Sequence, residues 1–339
     1  MIKQVSPYLL ITFVVFSSSC GLLDRDKQLT IDNPVYANVF FEKTHPNGAP
    51  VQGIVAINYD NPKEFKLLAS DTSAYNNLRL SPDGEKLIYT DKYITGLGSA
   101  PQHGLYNTVT GKKELLNVTM GGREDALVGH ESINVVWNED SDGFYYTNPN
   151  QAFSAIQSIF YYDLETRKVN IIKESRPHAI YPIDMISKDT LFVFSNEFDR
   201  HSYYIMTLKG EYISKINNSN FEYVNTDGLW KKGLIDFDWN DSLKLFTASY
   251  FNQEEFDRFK IIITDLEGNI FKEFTSGVHA NRNPTWTNDG NIIFTEQRDF
   301  YDTQIESELK IIDLETGKIT PFFSKREYPE ITGIGTSDQ

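Results

Sequence analysis

The sequence predicts an all-β protein: a six-bladed β-propeller of four-stranded antiparallel blades, with the ring closed by the C-terminal strand in blade one. Three observations predict it. First, a hairpin pattern recurs six times: an apolar run enters a polar turn and a second apolar run leaves it. The clearest copies are Tyr162-Asp163-Leu164-Glu165-Thr166-Arg167-Lys168-Val169 and Ile312-Asp313-Leu314-Glu315-Thr316-Gly317-Lys318-Ile319; fainter ones begin at Ile57, Tyr106, Met206 and Thr264. Turns rich in Asp, Asn and Gly between alternating runs mark β-hairpins. Second, the copies recur every 44 to 58 residues, which is the spacing of an array of supersecondary units. Third, a strand–turn–strand block precedes five of the six hairpins, so each unit holds four strands, as a propeller blade does. Tyr and Phe together number 42 (19 and 23), and aromatic residues favour strands.

The elements follow in order. Residues 1–19 read as a lipoprotein signal peptide. Lys3 supplies the positive start, Tyr8 to Phe16 the apolar run, and Ser17-Ser18-Ser19 the small-residue cleavage site. The apolar run is shorter than the roughly 20 residues a membrane-spanning helix needs. The only cysteine, Cys20, follows directly. Residues 20–34 read as a charged, polar tether without periodicity, and residues 35–339 as the propeller.

Blade one starts at Val35 and lacks its first strand. Blade two spans Ala74 to Val118, and its first turn is Ser81-Pro82-Asp83-Gly84. Blade three spans Ile133 to Lys173, with Asn138-Glu139-Asp140-Ser141-Asp142-Gly143 at the equivalent turn. Blade four spans Ile180 to Ile216, blade five Leu234 to Ser276, and blade six Asn283 to Lys325 with the turn Thr287-Asn288-Asp289-Gly290. Asp-Gly supplies the positive φ such turns demand. Glu330 to Gln339 has the spacing of a first strand and its turn with nothing after it, so it should pair into blade one and hide the open edges. The loops joining second to third strands should be long and aromatic, Ile94–His103 among them.

Two resemblances add to this. Cys20 after small residues resembles the bacterial lipobox, with Ser17 where that pattern usually has Leu. It implies cleavage before Cys20, acylation there, and a lipid-anchored place in the cell envelope. The blocks Ser81-Pro82-Asp83-Gly84 with Leu87-Ile88-Tyr89, and Pro284-Thr285-Trp286-Thr287-Asn288-Asp289-Gly290 with Ile292-Ile293-Phe294, resemble the Pro-x-Trp-Ser-Pro-Asp-Gly repeat of TolB-type six-bladed propellers. That family carries an α/β domain before its propeller, whereas here a short tether precedes the first strand. Related propellers also front prolyl-oligopeptidase-type peptidases, but this chain has no Gly-x-Ser-x-Gly elbow.

The fold locates a candidate site. Aligning the blades on the first-strand apolar residues Leu80, Trp137, Met185, Trp239, Trp286 and Ile334, and counting seven back, gives Ser73, His130, His178, Lys232, His279 and Glu327. Three of the chain's six histidines thus share one register, expected at the channel mouth. His130, His178 and His279 are candidate ligands for a divalent metal, since imidazole and carboxylate suit Zn, Mn or Fe. Some propeller lyases acting on oligogalacturonides hold a metal in a comparable place. The other reading is histidines in polar loops that donate to backbone carbonyls, and Lys232 favours an acidic ligand or an internal ion pair over a bare metal. Asn138-x-Asp140-x-Asp142-Gly143 opens like a calcium loop, but Pro149 stands where the closing Glu belongs.

The formal charge of −15 repels phosphate backbones, so no nucleic acid is expected. The function expected is a monomeric, membrane-anchored envelope propeller. It binds a protein, peptide or glycan partner on its loop face, without catalysis or an assured cofactor. The alternative is a metal-dependent polysaccharide lyase or hydrolase at the channel mouth.

Overall fold

The computed structural model describes residues 31–336 apart from 45–49, 72–73, 96–97, 117–134, 148–157, 176–177, 199–201, 217–222, 225–229, 253–257, 278–279, 299–305, 326–327 and 329. Six antiparallel sheets form in chain order. Blade one holds β1 (Pro34–Thr44), β2 (Pro50–Asn58) and β3 (Phe65–Asp71). Blade two holds β4 (Ala74–Leu80), β5 (Lys86–Thr95), β6 (Gly98–Asn107) and β7 (Lys113–Leu116). Blade three holds β8 (Val135–Trp137), β9 (Gly143–Thr147), β10 (Ser158–Asp163) and β11 (Val169–Glu174). Blade four holds β12 (Ile180–Ser187), β13 (Thr190–Ser195), β14 (Ser202–Thr207) and β15 (Tyr212–Lys215).

Blade five departs from the expected plan. Its first strand, β17 (Trp230–Asn240), starts four residues before Leu234, and a two-residue strand, β16 (Tyr223–Val224), pairs with its outer end. The sheet therefore has five strands, completed by β18 (Leu245–Asn252), β19 (Arg258–Thr264) and β20 (Ile270–Phe274). β16 lies on the side of β17 away from β18, which is the side of the central axis. Blade six holds β21 (Ala280–Trp286), β22 (Ile292–Arg298), β23 (Glu306–Asp313) and β24 (Lys318–Phe323). The last strand, β25 (Glu330–Gly335), pairs antiparallel with β1, Ala37 opposite Ile334, and closes the ring as expected.

The recurring hairpin has one cause in all six blades. Asn58, Asn107, Asp163, Thr207, Asp265 and Asp313 occupy the same place, where the third strand enters its turn. Each side-chain oxygen accepts a backbone N–H from two to four residues on, at 2.6 to 3.2 Å. A short polar side chain that bonds its own turn replaces a backbone bond and fixes the reversal.

The core lies between blades. Six buried clusters each join one blade to the next around the ring. Between blades two and three, for example, Ile88 and Leu116 pack on Trp137, Phe144 and Tyr146. This explains why inner strands read as continuous apolar runs rather than alternating ones: both faces of β9 are buried along its whole length. Phe144 and Tyr146 are among the largest fully buried side chains, and truncating a core phenylalanine of this kind costs about 3–5 kcal/mol.

One expected loop is a strand. Ile94–His103 is not a long loop joining β5 and β6. The two strands stay paired out to Thr95 opposite Gly98. Gly104 permits part of this pairing, since a Cβ there would fall 2.1 Å from the ring of Tyr89, its cross-strand partner. Phe251 and Asn252, which the sequence places in a loop, are the last two residues of β18, and Arg298, likewise placed in a loop, ends β22.

Candidate functional site: the turn end of the channel

The first strands line the central axis, and those of blades two, four, five and six are bent where their pairing to the second strand slips. Pairing slips between Asn76 and Arg79, between Pro182 and Asp184, between Ile235 and Asp238, and between Arg282 and Thr285. These bulges sit in equivalent places, and after each one pairing resumes at the residue just before the apolar anchor. Bulges re-aim side chains and concentrate beside functional sites. Within two of them, Asp236 and Asn283 take left-handed backbone at φ of 53° and 50°, a conformation L side chains rarely adopt.

Just past the bulges the channel widens into a cavity of about 460 Å³. Arg79, Val136, Asp184 and Asp238, each one residue before its anchor, line it; the anchors Trp137 and Trp239 form walls between them. The turns joining first to second strands make the rim and contribute Glu139, Asp241 and Asp289.

The two channel aspartates stitch neighbouring blades. Asp184 Oδ2 accepts the backbone N–H of Trp239 at 2.9 Å, and its Oδ1 accepts that of Met185 at 2.8 Å. Asp238 Oδ2 accepts the backbone N–H of Trp286 at 2.7 Å. The indoles return the bond: Trp286 Nε1 donates to the Asp238 carbonyl at 3.1 Å, and Trp137 Nε1 to the Arg79 carbonyl at 3.0 Å. Each carboxylate touches channel solvent on one side and is ringed by protein on the others. That burial pushes Asp184 up to about 7, with the charge of Asp238 adding to it and Arg79 opposing. Burial likewise pushes Asp238 up to about 6 against its bond from Trp286 and the charge of Arg79. The pair titrates as one unit close to neutrality.

Asp236, two residues before Asp238, behaves differently. Burial works against its charge, but Arg282 outweighs it: Nε–Oδ2 is 2.6 Å and a second guanidinium N–H reaches Oδ1 at 3.4 Å. Its carboxyl is held below the usual range, and it also accepts the N–H of Asn283 at 3.2 Å. Arg282 lies over the Phe259 ring at 4.9 Å. This pair joins blades five and six and is structural.

Of the residues that the shared register singles out, His178 is half-buried two residues before β12, and its backbone N–H donates to Ser175 O at 2.6 Å. Lys232 lies in β17, its backbone between Asn252 and Tyr223. Ser73, His130, His279, Glu327 and Cys20 lie outside the described residues. Among the described residues no three His, Cys, Asp or Glu side chains are grouped to hold a metal. Nor is any helix among them long and apolar enough to cross a membrane. In the Asn138 motif, Asn138 Oδ1 accepts the N–H groups of Asp142 and Gly143 at 3.2 and 3.1 Å, as a turn residue does.

Asp184, Asp238 and Arg79 are the residues that sequence reading passed over. A signal existed: in the repeat alignment each stands just before the anchor, where blade three has Val136.

No family model matches this chain, and no curated protein matches it. Solved structures do. TolB from Acinetobacter baumannii superposes with a TM-score of 0.59 at 13% identity, over 91% of this chain and 68% of that one. The TolB-type protein of Agrobacterium tumefaciens gives 0.57 at 9% identity, over 86% and 89%. A prolyl endopeptidase gives 0.50 at 14% identity, over 84% of this chain and 49% of that one. The fold is therefore that of the TolB six-bladed propeller.

Proposed function

We propose that this protein is a propeller of the cell envelope, lipid-anchored through Cys20, that binds a polypeptide partner without catalysis at the turn end of its channel. The observation that carries the reading is the cavity of about 460 Å³, with apolar and indole walls and a few convergent charged groups. Concave sites of that size and make-up are where proteins bind ligands. The likeness to TolB supports the envelope and the protein partner by analogy of fold alone. The anchor rests on the signal peptide and the residues before Cys20.

A photo-crosslinking residue at Ser242, on the cavity rim, should trap one envelope protein, identified by mass spectrometry. The same residue at Ile171, 64% exposed on an outer strand, should trap none. Equal trapping at both places would move the partner off the cavity. Cys20→Ser should lose palmitate labelling and leave the membrane fraction. The shared register of histidines supports a different test. Stoichiometric zinc or manganese that disappears when His130, His178 and His279 are changed to Ala would give the channel mouth to a metal-dependent polysaccharide lyase instead.

A further inference from the structure

The charge balance of the cavity says what kind of group fits it. Among the described residues that line it, one cation, Arg79, faces five carboxylates: Asp184 and Asp238 on the wall, and Glu139, Asp241 and Asp289 on the rim. Two of the rim groups are already engaged, Asp241 with Lys244 and Asp289 with the Tyr59 hydroxyl at 2.8 Å. The wall pair is not neutralised by the fold. Asp184 accepts two backbone N–H groups and Asp238 one, whereas a carboxylate offers about four acceptor sites. Burial already makes both costly to ionise, and the charge of Asp238 adds to this at Asp184, so a counter-charge placed between them is favoured. A concave site of one dominant sign surrounded by low-dielectric walls concentrates the opposite charge. Around these carboxylates stand Leu80, Val136, Ile183 and Met185, which suit an aliphatic stem rather than a hydrated ion.

Resting on the reading of the cavity as a polypeptide site, we infer that it receives a cationic side chain of the partner, an arginine or lysine, whose head lies between Asp184 and Asp238 and whose stem packs on the apolar wall. Arg79 marks the limit of the site. It supplies part of the counter-charge to the pair and sets the number of further cations at one.

The test uses the full-length protein and two peptides, Ac-Leu-Arg-Leu-NH2 and its citrulline counterpart, which keeps the shape and removes the charge. Trp137, Trp239 and Trp286 border the cavity, so intrinsic fluorescence reads occupancy. The arginine peptide should bind at least about tenfold more tightly than the citrulline peptide, the difference expected of one charge-assisted contact. Asp184→Asn with Asp238→Asn should abolish that preference, while Arg79→Gln should strengthen binding of the arginine peptide. Thermal melting of each variant shows that it is folded, and the wild-type comparison of the two peptides needs no variant. Equal binding of the two peptides, or binding of neither up to millimolar concentration, overturns the inference. Crosslinking from Ser242 separates the two readings. A partner trapped there alongside equal peptide binding removes the cation and keeps the polypeptide site; no partner removes the site itself.

Discussion

Asp236 and Asp238 show how one residue type takes opposite roles in one strand. Asp236 has a guanidinium beside it and stays charged, whereas Asp238, two residues on, faces the channel, and the N–H of Trp286 and the charge of Arg79 do not offset its burial. The consequence for stability has a definite sign. Both channel carboxyls are raised in the fold, so the folded state binds more protons than the unfolded chain between about pH 4 and 7. Their contribution is fully present below about pH 4 and is lost as pH rises through 6 and 7. Other shifted carboxylates, Asp83, Asp265 and Asp289 among them, are lowered and act the other way: their contribution is lost on acidification. The difference between wild type and the Asp184→Asn, Asp238→Asn variant isolates the pair. The variant should gain about 2–4 kcal/mol on wild type between pH 5 and pH 8, measured by denaturant unfolding at each pH. A gap independent of pH would mean that the pair is not raised. The identities of these residues were plain in the sequence, but their protonation was not, because it depends on which charges other blades bring within reach.

At the scale of the element, the turns were legible and their internal geometry was not. Asp-Gly promised positive φ, and Gly84 and Gly290 deliver it at 71° and 81°. In blade three, however, Ser141 takes that conformation at 57°, and Gly143 lies in β9. Gly143 is needed for another reason: a Cβ there would fall 2.2 Å from the Tyr161 hydroxyl. In blade five Lys244 takes the left-handed place, at 55°, one residue further from its anchor Trp239 than Gly84, Ser141 and Gly290 are from theirs. That gives a paired prediction. Lys244→Gly should keep or raise stability by up to about 1 kcal/mol, since it relieves a left-handed L residue and loses only an exposed ion pair. Gly290→Ala should lower stability by about 1–2 kcal/mol. Chemical denaturation reads both, and the same sign for the two would refute the assignment. Hydrogen bonding explains why the six outer hairpins were recognisable: an Asn, Asp or Thr that closes its own turn is a local device, and local devices leave a repeat in the sequence.

For the whole molecule, the decisive contact joins the two ends of the chain. β25 pairs with β1, and Ile331 and Ile334 enter the core shared by blades six and one. Thr336 Oγ1 donates to the Trp286 carbonyl at 2.7 Å, and Ser307 Oγ bonds the backbone of Ile331. Tyr59 of blade one reaches Asp289 of blade six at 2.8 Å. Removing residues 330–339 should expose the β1 edge and one face of that core. The truncated protein should melt well below full length and lose amide protection first in blades one and six. Retained protection there would show that the ring does not depend on its last strand.

The sequence by itself determined the number of blades, their order and the closing strand. These follow from turn chemistry and apolar runs that act over a few residues and repeat. Tertiary structure alone decided the extra strand of blade five, the extended β5–β6 hairpin, and the meeting of Arg79, Asp184 and Asp238 around one cavity. Those residues are up to 159 positions apart, and a bulge in each first strand sets where their side chains point. Such convergence arises only when the ring closes and burial removes water from their charges.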